Sequence, residues 1–189
     1  MVALTTPVCD FGKKAIDFKL LGVDNRMWTL QDCMGDKGLL VMFISNHCPY
    51  VKAVQNRLVR DTNELKQLGV NTVAIMPNDT IEYPDDSFEN MQIISAANNY
   101  SFPYLLDDTQ AVAHEYGAIC TPDFFGYNNQ FELQYRGRLD ATGRNIDITD
   151  SPRELFEAMK LVAETGQGPK DQIPSIGCSI KWKKGSEPN

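Results

Sequence analysis

Cys48 is the residue of this chain best placed to do chemistry. It stands in the run Ser45-Asn46-His47-Cys48-Pro49-Tyr50, with a hydroxyl upstream, an imidazole directly before it and a proline directly after. The reactive form of cysteine is the thiolate. Proline at that point marks a first helical turn, because its missing N–H is one that a helix start leaves unpaired. Cys48 is therefore expected to cap a helix, where free N–H groups and the helix dipole favour an anion. So placed it is a nucleophile; the alternative is a small buried apolar residue. Ser45 is expected to donate a hydrogen bond to the thiolate or to a peroxide oxygen, or to be a plain turn residue. His47, with an imidazole titrating near ~6.5, is expected to keep Cys48 ionised or to protonate a leaving thiolate. A lip residue without a role is the competing reading.

The elements that must hold these groups are legible on either side. Gly38 to Ile44 is unbroken Leu, Val, Met and Phe, the pattern of a central strand buried on both faces. After Pro49, Val54, Leu58, Leu65 and Leu68 recur on one helical face, and Gly69 supplies the stop. Val70 to Met76 is a second apolar run, so strand, helix and strand follow with a full crossover and imply parallel pairing. Ile16, Phe18 and Leu20, then Asp24-Asn25 and Met27 to Leu30, read as an N-terminal hairpin. The acids between Pro77 and Asp86 read as a solvated loop with a helix cap at Asp86 or Ser87. Tyr104 to Leu106 is a short strand and Thr109 to Tyr116 a short helix. Ile119 to Phe125 and Phe131 to Tyr135 form an antiparallel hairpin, with Pro122 in a position suited to an edge or a cis bond. Ser151-Pro152-Arg153-Glu154 reads as a capping box opening a helix.

The chain has 189 residues, 42% of them hydrophobic, enough for one well-buried domain. Residues 1–170 are assigned to that domain and 171–189 to a C-terminal tail. With 25 acidic residues against 18 basic and a net charge of −7, nucleic acid and anionic membrane have no electrostatic claim as partners. No apolar run has the length of a membrane span and Met1 to Gly12 lacks a leader pattern, so the expectation is cytoplasmic. Cys9, Cys33, Cys48, Cys120 and Cys178 lack the paired spacing of a zinc site, and an odd count argues against a disulfide framework. No metal and no cofactor is expected.

Two motifs, the cysteine at a strand-to-helix junction and Thr121-Pro122 opening a hairpin, resemble the thioredoxin fold. The resemblance implies a central mixed sheet flanked by helices, an N-terminal β-hairpin extension, and a cis Pro122 lying against Cys48. Ala15-Ile16-Asp17-Phe18 is similar to the opening of the redoxin branch, the alkyl hydroperoxide reductase and thiol-specific antioxidant (AhpC/TSA) family. Asn46-His47-Cys48-Pro49-Tyr50-Val51-Lys52, Cys120-Thr121-Pro122-Asp123-Phe124-Phe125, Tyr135-Arg136-Gly137-Arg138-Leu139-Asp140 and Gly177-Cys178-Ser179-Ile180-Lys181-Trp182 resemble one poorly characterised subfamily of it.

That resemblance implies a thiol-dependent oxidoreductase with Cys48 as nucleophile. It makes Cys120, two residues before the proline, the first choice of resolving thiol. Cys178 is the second choice, reached if the tail folds over the site or crosses to the other subunit of a homodimer. Pro49, Thr121, Pro122 and Arg138 would border the substrate, which is a disulfide or a peroxide. A thioredoxin or glutathione system would supply the reducing thiol. Val51 stands where a thioredoxin has its second cysteine, and Ser45 where many relatives carry one. The arginine that polarises peroxide in peroxiredoxins has no counterpart near Pro122. Disulfide exchange is therefore preferred, with a thiol peroxidase as the alternative and a non-enzymatic redox sensor or metal-carrying module last.

Overall fold

The computed structural model describes residues 3–143, 145 and 151–188. At its centre lies β4 (Gly38–Phe43), wholly buried. Leu40, Met42 and Ile44 face one core, while Leu39, Val41 and Phe43 face the other. Two buried faces at period two are why the strand carries no polar residue. On one side it pairs in parallel with β5 (Val70–Met76), and on the other antiparallel with β8 (Asp123–Asn128). The remaining members are β2 (Lys19–Gly22), β3 (Met27–Thr29), β6 (Tyr104–Leu106) and β9 (Leu133–Tyr135). They complete a seven-stranded mixed sheet in the order β3-β2-β6-β5-β4-β8-β9. This is the thioredoxin-like α/β arrangement, with β2 and β3 as the N-terminal hairpin.

One face is covered by α2 (Pro49–Gln67), α3 (Phe88–Ala97) and α5 (Glu154–Thr165), the other by α1 (Leu30–Cys33) and α4 (Ala111–Tyr116). Helix α2 buries Val51, Val54, Leu58 and Leu65, each contributing about 1.5–3 kcal/mol by leaving water. Gly69, at φ +84°, carries the chain out of it. Asp61 is also buried on α2, and it accepts hydrogen bonds from Arg60 and from two nitrogens of Arg153, which ties α2 to the start of α5.

Two expectations are corrected. The capping box at Ser151 does not form: α5 starts at Glu154 with Arg153 as its cap, and the Ser151 hydroxyl has no hydrogen-bond partner among the described residues. The Glu154 carboxylate that would reach back is held by Arg138 at 2.7 and 2.9 Å. The segment past residue 171 is not a loose tail. It contains β10 (Ile176–Ser179), the central strand of a second sheet between β1 (Ala3–Thr5) and β7 (Cys120–Thr121). Beyond β10, Trp182 packs on His114 with ring centroids 4.2 Å apart, and Lys183 pairs with Asp108.

Candidate active site

Where β4 ends, the chain turns through Ser45, Asn46 and His47, and Cys48 becomes the N-cap of α2 with Pro49 at its first turn. Nothing of the Cys48 side chain reaches solvent. Its thiol donates to the carbonyl of Thr121 at 3.0 Å. The Thr121–Pro122 peptide is cis, and Pro122 sits between β7 and β8. Ser45 Oγ lies 3.3 Å from Thr121 Oγ1, buried, so its hydroxyl is engaged with Thr121.

A second buried thiol near Cys48 is Cys178. Strand β10 runs antiparallel to β7 with Cys178 opposite Thr121, and residues directly opposite share a face. Cys178 shares the buried cluster beneath α2 with Cys48, near enough for the two thiols to influence one another. Burial chiefly, then the neighbouring Cys48, push the Cys178 thiol up to about 11. Lys181 and the Tyr50 N–H pull the other way. Cys120, one residue from Thr121, points its sulfur towards Pro122 O at 3.6 Å. Burial and the nearby Asp123 charge push its thiol well up. Cys9 and Cys33 are pushed up to about 11 and about 12, in both cases mainly by burial.

His47 is fixed by a carboxylate that the sequence placed in a solvated loop. Asp86 is fully buried. Its Oδ2 lies 2.6 Å from His47 Nδ1 and accepts from Asn78 Nδ2 at 2.7 Å, while Oδ1 accepts from the Asn46 and His47 N–H groups. The His47 ring stacks on Tyr83. Burial is the strongest influence on Asp86 and opposes its charge. The hydrogen bonds from His47 and Asn78, the His47 charge and the His47 N–H together outweigh it and hold the carboxyl below its ordinary 3.8. One signal for this role was available: Ser87 alone caps α3, which leaves Asp86 free for another use.

Asp86→Ala strands buried donors and is expected to destabilise the fold by about 3–5 kcal/mol at neutral pH, the scale of breaking a buried charge pair. Because the folded-state value is depressed, the stabilisation is full above pH 3.8 and is lost as pH falls through the folded value. Urea melts of the variant and the wild type should therefore differ most at neutral pH, with the gap narrowing in acid.

Arg138 holds Glu154 and lines a recess of about 120 Å³ together with Tyr50, Pro122 and Ile176. Pro49 remains at the helix start. Arg136 is buried. It bonds Asp123 at 3.0 Å and lies over the Phe125 ring. Burial raises Asp123 to about 6 against the pull of Arg136.

Comparison with known proteins adds relatives to this geometry. The family model described as AhpC/TSA family matches residues 11–142. The chain is similar to the solved structure of an uncharacterized conserved protein from Geobacillus kaustophilus, at 43% identity over 97% of each chain, TM-score 0.91. It is also similar to a hypothetical protein from Sinorhizobium meliloti 1021, at 35% identity over 96% of this chain and 98% of that one, TM-score 0.90. Peroxidoxin BcpB from Mycobacterium tuberculosis shares the fold at 12% identity over 82% of this chain and 96% of that one, TM-score 0.61. No curated protein matches.

Proposed function

The chain belongs to the AhpC/TSA family of thiol-dependent redoxins, and we propose that it reduces disulfides by exchange at Cys48, with Cys178 as the resolving thiol. The placement of Cys178 opposite Thr121, whose carbonyl holds the Cys48 thiol, in one buried cluster with Cys48 carries this reading. The Cys48 thiolate attacks one sulfur of the substrate R–S–S–R, forming a mixed disulfide and releasing RS⁻, which takes up a proton. His47, oriented by Asp86, is the proposed source of that proton. Cys178 then gives up its own proton and attacks Cys48 Sγ, releasing the second RSH and leaving a Cys48–Cys178 disulfide. An external thiol reductant restores both thiols. Cys120, the first choice from sequence, directs its sulfur to Pro122 O, so the geometry favours Cys178 for this role.

A peroxidase is the second reading, favoured by the full burial of Cys48, which suits a small oxidant. Against it, Ser45 is engaged by Thr121, and the guanidinium groups of Arg57, Arg136 and Arg138 are held by Asp140, Asp123 and Glu154. No helix among the described residues is long and apolar enough to cross a membrane. The test is to mix reduced protein with a small disulfide or with hydrogen peroxide, follow thiol loss by stopped flow and map the product by mass spectrometry. Fast exchange ending in Cys48–Cys178 is the expected result. Fast peroxide oxidation with slow exchange would move the assignment to the peroxidase, and inert Cys48 would remove both.

A further inference from the structure

We propose that β10 makes this a site for low-molecular-weight disulfides and thiols and closes it to protein disulfides, an inference that rests on the exchange chemistry above. A disulfide within another protein comes with its backbone, and an extended backbone docks by adding to a strand edge whose N–H and C=O groups are unpaired. Beside Thr121 that edge is taken. Strand β10 pairs with Cys120 and Thr121, and β1 occupies its other side through Ala3, Leu4 and Thr5. The chain's own Cys178 stands opposite Thr121, over Cys48.

The strand is fastened at both ends. Ser175 exchanges backbone and side-chain hydrogen bonds with Thr6, and its hydroxyl donates to Pro122 O, all at 2.9 Å. At the far end the Lys181 N–H donates to Asn78 Oδ1, while its carbonyl accepts from Asp79 N and Gln110 Nε2. Gly177 makes the seat close. A Cβ there would lie 2.2 Å from Thr121 O and 2.6 Å from Thr121 C, so no side chain fits without lifting the strand.

What remains open is the recess of about 120 Å³ bordered by Tyr50, Val54, Pro122, Phe124 and Ile176. At about 10–15 Å³ of such space per water it holds several waters, room for a short thiol substituent. It touches both thiol-bearing elements: Tyr50 lies two residues after Cys48, and Ile176 two before Cys178. The same limit applies to regeneration. In balance, R–S–S–R with the two thiols gives Cys48–Cys178 and two RSH, and two equivalents of a small monothiol reverse it, becoming one disulfide.

The test compares rates at which Cys48 of the reduced wild-type chain is consumed by hydroxyethyl disulfide and by a protein disulfide such as insulin, each normalised to that disulfide's rate with free dithiothreitol. The expected result is a preference of at least tenfold for the small disulfide, shrinking to a few-fold in Gly177→Val, where β10 is lifted. Equal normalised rates in the wild type would overturn the inference and leave the exchange function intact. An unreactive Cys48 would overturn that function as well. A folded Gly177→Val with an unchanged preference would show that β10 is not the cause. Where that variant does not fold, Thr6→Val, which frees the other end of the strand, is judged by the same criterion.

Discussion

Cys48→Ser is expected to lower disulfide exchange by roughly a thousandfold or more, the scale of removing a covalent nucleophile. A hydroxyl stays protonated at neutral pH and does not attack sulfur, yet it can still donate to Thr121 O as the thiol does. The fold should therefore survive, with a thermal unfolding curve close to wild type while the exchange rate collapses. That separation matters because Cys48 belongs to the apolar core beneath α2. A purely structural cysteine would give the opposite pattern, with unfolding at lower temperature and exchange retained. Retained exchange in a folded Cys48→Ser chain would take the nucleophile away from this position.

Cys178→Ser is expected to stop the reaction halfway, with the mixed disulfide on Cys48 persisting long after the wild type has closed its internal bond. In the reduced chain Cys178 is held protonated near 11, first by burial and then by Cys48 itself. Once Cys48 is capped by substrate, the share due to Cys48 disappears, while the lowering influences of Lys181 and the Tyr50 N–H remain. Cys178 thus becomes easier to ionise at the stage where it must attack. Intact-mass spectrometry should show the adduct on Cys178→Ser and only a transient one on wild type and on Cys120→Ser. Wild-type resolution should also quicken by roughly tenfold per pH unit while the attacking thiolate remains the minor form. A persistent adduct on Cys120→Ser instead would return the resolving role to Cys120.

The parts of the fold legible in the sequence are those that local chemistry dictates. Strand β4 is unbroken apolar sequence because both its faces are buried, and α2 announces itself through Pro49, one apolar face and Gly69. Strand β10 was not legible. Ile176, Cys178 and Ile180 alternate with Gly177, Ser179 and Lys181, but the run is short and small-residued, and it is a strand because β7 and β1 supply its partners. Asp86 was missed for a related reason: an acid in a polar loop looks solvated until the loop folds over the His47 turn. The order of Cys120 and Cys178 depends on register, since Cys178 faces Thr121 across the strands whereas Cys120 precedes it in the chain.

The pairing of β1 with β10 joins Ala3 to Cys178, almost the full span of the chain, and this has a kinetic consequence. Contacts so distant in sequence bear the largest loop-closure entropy and are expected to form late. On a ribosome the strand pair Gly38–Phe43 and Val70–Met76 is available long before residue 178 emerges. During that interval Cys48 has neither its lid nor its second sulfur, and a disulfide formed there would be with a stranger. Pulse alkylation of nascent chains halted before residue 170 should label Cys48 rapidly and then fade as the last residues are released.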